Sequence, residues 1–173
     1  MKKWFLNFKA CIQRKKSKLE YDLAKILFRN AYKLSTAESC TGGLLSSRLT
    51  DVAGSSAYIT MNFVTYSNDS KQKVLNVSEE TLNKYGAVSE QCAREMAQGL
   101  IKLTNSDVVL CTTGVAGPTA SEAKPAGLVY IACGFKDEIV VKEYRFDSRY
   151  SRKNLKFLFS EQALKLAVET IGK

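Results

Sequence analysis

The chain has 173 residues, of which 45% are hydrophobic and 25% charged, the composition of a globular protein with a sizeable core. Its formal charge is +9, but seven basic residues precede Glu20 without a single acidic one. Subtracting those seven leaves +2, so the body of the chain gives no case for a nucleic-acid-binding fold.

Histidine is absent, which excludes a Ser-His-Asp triad and every zinc site that needs histidine. A nucleophilic reaction would therefore take its base from Lys, Tyr, Asp or Glu. The five cysteines form no C-x-x-C pair and are odd in number, which indicates reduced thiols in a cytoplasmic protein. No apolar run is long enough to span a membrane.

Residues 1–18 are predicted to be a basic N-terminal extension ahead of one domain at 19–173. Its apolar residues recur near the helical period. Such a segment is able to lie on an anionic membrane surface. The alternative, which we favour from sequence, is a solvated extension or one that packs within an oligomer. The apolar residues concerned are Trp4, Phe5, Phe8 and Ile12.

The stretch that carries most information joins a strand to a helix. Leucine and isoleucine spacing predicts an amphipathic helix over Leu19 to Leu34, followed by a short strand to Glu38. The next helical pattern starts near Leu44. Between strand and helix lies the segment Thr36-Ala37-Glu38-Ser39-Cys40-Thr41-Gly42-Gly43.

Ser39 is the candidate nucleophile of this segment. Backbone N–H groups and the positive end of the helix dipole would face it, and Gly42 and Gly43 would let a ligand approach the backbone closely. The local pattern alone favours a different role, in which Ser39 or Thr41 caps the helix. Cys40 is a fallback nucleophile, although a buried structural cysteine is the commoner case.

Two further candidates follow the next strand, which we place within residues 57–66. Tyr66 stands at its end, and Ser67 or Asn68 is able to cap a short helix that carries Lys71. Positions of this kind line ligand crevices in α/β folds. The alternatives are a packed aromatic ring for Tyr66 and a solvated surface lysine for Lys71.

The second half of the chain alternates helices and strands. Gly86 is expected to stop a helix over Ser78 to Tyr85, and Ser89 to cap the next one. A buried strand over Asp107 to Thr113 runs into a Gly-rich loop that is able to cradle an anion, or is only a tight turn. A hairpin of two strands and a final helix capped by Ser151 follow. The loop is Gly114-Val115-Ala116-Gly117-Pro118.

Several segments, in order and at the right spacing, resemble the CinA C-terminal domain family, the nicotinamide-nucleotide amidohydrolases. The resemblance covers about residues 19–171. Its pieces are the segment 36–43, Gly54-Ser55-Ser56, Tyr66-Ser67-Asn68 with Lys71, Gly86-Ala87-Val88-Ser89-Glu90, Thr113-Gly114-Val115-Ala116-Gly117-Pro118 and Lys124-Pro125-Ala126-Gly127.

The resemblance implies a single-domain three-layer α/β/α sandwich with a mixed β-sheet that self-associates into a homo-oligomer. It implies deamidation of nicotinamide mononucleotide to nicotinate mononucleotide and ammonia, with no metal and no cofactor. Ser39 resembles the family nucleophile, and Lys71 and Tyr66 resemble its activating partners. The expected substrate-binding residues are Cys40, Thr41, Gly42, Gly43, Thr113, Gly114, Ala116, Gly117, and Arg149 or Arg152 for the phosphate.

Two segments depart from the family pattern. Residues 119–123 replace additional glycines, and Asp147-Ser148-Arg149 stands where the family has Gly-Asp-Arg. Both belong to the substrate-facing side by resemblance, so they bear on which substrate is used. The alternative function is a catalytically inactive nucleotide-binding or scaffold protein of the same fold. Convergence of Ser39, Tyr66 and Lys71 within hydrogen-bond reach would favour the enzyme.

Overall fold

A five-stranded mixed sheet separates two layers of helices in the computed structural model, which describes residues 3–172 apart from the Lys15 side chain. Met1 and Lys2 of the predicted extension, and Lys173 at the end of the predicted domain, lie outside the described residues. The predicted three-layer α/β/α sandwich is confirmed. The strands are β1 (Leu34–Glu38), β2 (Ile59–Val64), β3 (Val108–Gly114), β4 (Leu128–Phe135) and β5 (Glu138–Arg145).

The sheet combines a parallel half with an antiparallel half. Its order is β2-β1-β3-β4-β5, in which β1 pairs in parallel with both β2 and β3. The β3–β4 and β4–β5 pairs are antiparallel, and the second of them is the predicted hairpin. The carboxyl ends of β1, β2 and β3 therefore meet at one edge, where α/β folds form ligand crevices.

Helices cover both faces of this sheet. One layer contains α2 (Leu19–Asn30), α3 (Leu44–Thr50) and α7 (Arg152–Ile171), with α1 (Lys3–Lys16) packed on α7. The other layer contains α4 (Asn68–Leu75), α5 (Glu79–Tyr85) and α6 (Glu90–Thr104). Within the described residues, none of these helices has the length and apolarity needed to cross a membrane.

The core lies on both sides of β3, which is buried over almost its whole length. Its side chains alternate between the two layers because successive residues of a strand point to opposite faces. Val108 and Leu110 pack in the cluster that includes α2 and α7, whereas Val109 and Cys111 pack in the cluster that includes α6.

The helix boundaries follow from capping residues. The predicted serine caps are confirmed for α4, α6 and α7, and Ser78, predicted as the first residue of its helix, caps α5; each side chain accepts a hydrogen bond from a backbone N–H in the first turn. The prediction that the first amphipathic helix continues to Leu34 is wrong. Ala31 adopts the left-handed conformation and ends α2, so that Leu34 opens β1 instead.

A close contact between helices fixes the position of α4. Gly99 of α6 faces the carbonyl oxygen of Leu75, the last residue of α4, and a Cβ atom at position 99 would overlap that oxygen. The glycine lets the two backbones approach closely. The helix that carries Lys71 is thereby seated directly on α6.

Candidate active site

A pocket of about 230 Å³ lies at the sheet edge where β1 and β3 end. Its floor comes from the strand ends, and its walls come from the start of α4, the loops after α5 and β3, and the first turn of α7. The lining residues are Ser39, Cys40, Tyr66, Asn68, Lys71, Ala87, Val88, Thr113, Gly114, Val115, Ala116, Gly117, Thr119, Ser121, Glu122 and Arg152.

Two predicted catalytic residues meet in this pocket. The Nζ atom of Lys71 lies 3.1 Å from the Oγ atom of Ser39, although 32 positions separate them in sequence. Ser39 directly follows β1, and Lys71 lies in the first turn of α4. Both side chains are buried. The alternative of a solvated surface lysine is therefore wrong for Lys71.

Lys71 is buried without an anionic partner. Its side chain is 1% exposed, and its Nζ donates to the backbone carbonyls of Thr65 at 2.9 Å and Tyr66 at 3.4 Å. Among the ion pairs of residues 3–172, none involves this lysine. Burial lowers the pKa of Lys71 below its ordinary value because water no longer stabilises the charged amine.

Ser39 is available for chemistry because Glu38 caps the helix instead. The buried Glu38 carboxylate accepts hydrogen bonds from the N–H groups of Gly43 at 3.0 Å, Leu45 at 3.0 Å and Ser46 at 2.8 Å. The negative charge of this carboxylate also interacts favourably with the positive end of the helix dipole. The capping role that the local pattern favours for Ser39 or Thr41 is thus wrong.

Of the four residues 40–43 that follow Ser39, Cys40 lines the pocket and the other three do not. The N–H of Gly42 donates to the carbonyl of Ser39, and the N–H of Gly43 donates to the side-chain carboxylate of Glu38. The Thr41 hydroxyl pairs with that of Thr112 at 2.8 Å, and Thr41, like the two glycines, is not among the lining residues. The N–H groups of Cys40 and Thr41 have no carbonyl or carboxylate acceptor within the described residues.

Cys40 lines the pocket but is unsuited to attack. Burial raises the pKa of its thiol to about 12, and the nearby Glu38 adds to the increase. A cysteine attacks as its thiolate, which is scarce at neutral pH when the pKa is this high. The fallback nucleophile is therefore a poor one in this pocket.

Tyr66 meets Lys71 through its backbone and not through its hydroxyl group. The ring is 58% exposed at the pocket mouth, so it is not the packed aromatic of the alternative interpretation. Its hydroxyl accepts a hydrogen bond from Arg152 at 2.8 Å, and its carbonyl accepts the long bond from Lys71. The three predicted catalytic residues line one pocket, and of the three it is Ser39 and Lys71 whose side chains are hydrogen-bonded to each other.

The Gly-rich loop after β3 forms the opposite wall. Thr113, Gly114, Ala116 and Gly117 all line the pocket. The Thr113 hydroxyl donates to the carbonyl of Ala87 at 2.6 Å, which ties this wall to the loop after α5. The loop is thus a pocket wall held by side-chain contacts, and more than a tight turn.

The two arginines proposed for phosphate binding occupy different places. Arg152 lines the pocket and donates to the carbonyl of Gly117 at 2.6 Å as well as to Tyr66. Arg149 is exposed, pairs with Asp147 and is not among the lining residues. Of these two arginines, Arg152 is therefore the one that lines the pocket.

Seven lining residues were not predicted as site residues from the sequence, and Asn68 and Glu122 are two of them. Asn68 opens α4, and Glu122 belongs to the segment 119–123 that departs from the family pattern. The Glu122 carboxylate accepts a hydrogen bond from the N–H of Val88 at 3.2 Å. The family resemblance assigns residues 119–123 to the substrate-facing side, and this was the sequence feature from which Glu122 could have been predicted as a site residue. Within the described residues, no group of three or more potential ligands could hold a metal ion.

Comparison with known proteins agrees with this architecture. The sequence profile described as the CinA C-terminal domain matches residues 16–171. The chain belongs to the CinA C-terminal domain family. A CinA-like protein of Chloroherpeton thalassium is 44% identical over 157 residues, which cover 89% of this chain and 37% of that protein.

Other members show the same extent of similarity. A competence-damage inducible protein of Caldicellulosiruptor saccharolyticus is 45% identical over 154 residues, which cover 88% of this chain and 37% of that protein. The chain thus spans little more than a third of the length of these curated relatives. A crystal structure of a CinA superfamily protein from Klebsiella pneumoniae superposes with a TM-score of 0.85 at 34% identity, covering 89% of this chain and 96% of that one.

Proposed function

We propose that this member of the CinA family is a serine amidohydrolase that deamidates nicotinamide mononucleotide. The observation that carries the proposal is the contact between Ser39 and a buried lysine that has no carboxylate partner. A hydroxyl group is a weak nucleophile until a neighbouring base takes its proton, and a desolvated lysine is able to do so.

The contacts of Lys71 accommodate both protonation states of the amine. The ammonium form has three donors, which the Ser39 hydroxyl and the carbonyls of Thr65 and Tyr66 accept. A neutral lysine has two N–H bonds and one lone pair, so that the two carbonyls accept the N–H bonds and the lone pair faces the Ser39 hydroxyl. Lys71 is thereby arranged to receive the proton that Ser39 loses.

In the first half of the reaction, Ser39 Oγ attacks the carboxamide carbon while its proton passes to Lys71 Nζ. The carbonyl oxygen becomes an oxyanion, for which the N–H group of the lining residue Cys40 is an available donor. The carbon–nitrogen bond then breaks as Lys71 returns the proton to the leaving nitrogen, and ammonia departs. An ester between Ser39 and the nicotinoyl group remains.

In the second half, water attacks the carbonyl carbon of the ester. Lys71, neutral again after releasing its proton to ammonia, takes a proton from that water. The oxyanion collapses, the bond to Ser39 Oγ breaks and Lys71 returns the proton to the serine. The products of the complete cycle are nicotinate mononucleotide, ammonia and the regenerated enzyme.

Substrate binding is assigned to two charged lining residues from different parts of the chain. Arg152 supplies a positive charge for the phosphate group of the nucleotide. Glu122 supplies a negative charge, which suits the positively charged pyridinium ring. This arrangement of opposite charges supports a substrate that itself carries both charges.

The direct test is release of ammonia from nicotinamide mononucleotide by the purified protein, with Ser39→Ala measured beside it. We expect release by the wild type and none above background by the variant. Release by both proteins would assign the nucleophile elsewhere. Absence of release by both, with nicotinamide mononucleotide still bound, would support the alternative of an inactive nucleotide-binding protein.

A further inference from the structure

Helix α1 turns an apolar face toward solvent. Leu6 and Ala10 are buried, and α1 packs on α7. Trp4, Phe8 and Ile12 have the same four-residue spacing as Leu6 and Ala10 but stand two positions away from them in sequence. At 100° per residue, they lie about 200° around the helix from Leu6 and Ala10. Trp4 is 72% exposed and Phe8 is 49% exposed.

This face is continuous and ordered. The rings of Trp4 and Phe8 stack with their centroids 5.4 Å apart and their planes 10° from parallel. Phe5 and Ile12 are also exposed, so four large apolar side chains share one side of a fourteen-residue helix. Apolar patches of this kind mark an interaction surface, whereas single exposed apolar residues need no explanation.

Basic side chains border the apolar face, and the sequence of α1 contains no acidic residue. The α1 residues Lys3, Lys9, Arg14 and Lys16 are all exposed, and the first acidic residue of the chain is Glu20. Lys9 reaches over the Phe5 ring with its Nζ atom 4.8 Å from the ring centroid. Long basic side chains that cover apolar groups and extend their charge outward are suited to a lipid interface.

We infer that α1 docks the protein on an anionic lipid surface, with Trp4, Phe5, Phe8 and Ile12 among the acyl chains and the basic side chains at the headgroups. Trp and Phe on one face with Lys and Arg beside them is the composition of helices that lie in the membrane interface. A helix of fourteen residues is about 21 Å long, too short to span a bilayer, so α1 lies in the membrane plane.

The docking face is firmly attached to the rest of the fold. The Asn7 side-chain oxygen accepts hydrogen bonds from the N–H of Ser151 and the amide of Asn154, each at 2.8 Å. These residues begin α7, next to Arg152 of the pocket. Docking of α1 would therefore hold the whole protein at the surface, and not only a loose tail.

Trp4 provides an internal probe because it is the single tryptophan of the chain. The full-length protein is mixed with vesicles of phosphatidylcholine and phosphatidylglycerol in equal parts, or of phosphatidylcholine alone. We expect cosedimentation with the mixed vesicles and a blue shift of Trp4 emission, with binding at least ~10-fold weaker to the neutral vesicles, since each cation near an anionic surface contributes roughly fivefold.

Two pairs of variants separate the apolar face from general effects. Phe8→Glu places a charge in the docking face and keeps Trp4 as the probe, and we expect it to abolish binding. Leu103→Glu is its matched control, because Leu103 is 47% exposed on α6 in the opposite layer. Lys9→Gln with Lys16→Gln should weaken binding roughly 25-fold, whereas Lys84→Gln with Lys102→Gln should not.

Three results would overturn the inference. The first is unchanged Trp4 emission and no cosedimentation with either vesicle. The second is a blue shift that grows with protein concentration in the absence of lipid, together with dimer formation, because a second copy would then cover the face. The third is equal loss of binding in Phe8→Glu and Leu103→Glu when both variants keep the wild-type circular dichroism spectrum.

Discussion

Two buried cations of this protein are held in opposite ways. Arg48 of α3 lies between the carboxylates of Glu20 and Glu161, at 2.7 and 2.8 Å, and its guanidinium group stacks 4.9 Å from the centroid of the Phe157 ring. Lys71 is buried to the same degree but contacts only two carbonyls and a serine hydroxyl.

The difference separates a structural charge from a reactive one. The guanidinium group does not lose its proton in proteins, and two carboxylates compensate it, so Arg48 joins α2, α3 and α7 as a fixed charge. Within residues 3–172 no carboxylate forms an ion pair with Lys71, and burial makes its ammonium form give up a proton more readily. A buried cation is therefore a candidate for acid–base catalysis when no carboxylate pairs with it.

The largest expected effect is on catalysis by Lys71→Met, which keeps a chain of similar length without the amine. We expect turnover of nicotinamide mononucleotide to fall by about 10²- to 10⁴-fold, the range of a lost general base. Ammonia release at saturating substrate measures it, and thermal unfolding should show a folded protein. Turnover within tenfold of wild type would remove Lys71 from the mechanism.

The structural counterpart is Arg48→Met. Removal of the cation leaves the buried Glu161 and the partly buried Glu20 carboxylates without their ion pair, so the free energy of unfolding should fall by about 3–5 kcal/mol. Urea denaturation measures this change. The control is Lys73→Met, which removes an exposed pair with Asp69 and should cost less than about 1 kcal/mol. Turnover per folded molecule should be retained in both variants, unlike in Lys71→Met.

The pH dependence of catalysis should also distinguish the two cations. The neutral form of Lys71 is the base, so kcat/KM should rise with pH through the lowered pKa of Lys71, below the ordinary 10.5. Between the lowered pKa of Lys71 in the folded protein and its ordinary pKa in the unfolded chain, the unfolded chain binds more protons than the folded one. The free energy of unfolding therefore also rises with pH in this range. Lys71→Met should remove this rise in stability, whereas Arg48→Met should leave it.

A smaller effect is expected from Glu122→Gln. The Glu122 carboxylate favours the protonated form of Lys71 and so raises its pKa, against the larger effect of burial. The variant should shift the rising limb of kcat/KM to lower pH, by less than about one unit. Ser121→Ala, at the neighbouring lining residue, is the control. A shift to higher pH would contradict the proposed influence of Glu122.

Local sequence patterns predicted most of the fold. The serine caps at Ser67, Ser89 and Ser151 were predictable, because capping depends on residues only three positions apart. The end of α2 was less predictable. Leu34 continues the apolar helical spacing, but its place in β1 depends on pairing with β2 and β3, which are distant in sequence.

The candidate site was predictable only in part. The contact between Ser39 and Lys71 followed from the family resemblance, since no local pattern links residues so far apart. The helix cap was assigned to Ser39 or Thr41 because cap residues normally stand next to the first turn, whereas Glu38 reaches the N–H groups from the end of β1. The partner of the Tyr66 hydroxyl comes from α7, 86 positions away.

The seat of α4 on Gly99 has a consequence for genetics. Any side chain at position 99 would push against the Leu75 carbonyl and displace the helix that carries Lys71. In a saturation mutagenesis screen that selects for deamidation, position 99 should therefore be as intolerant as Ser39, although it lies outside the pocket. Second-site revertants of Gly99→Ala should be rare, because the overlap is with backbone atoms of Leu75 and no shortened side chain restores the room that the new methyl group takes.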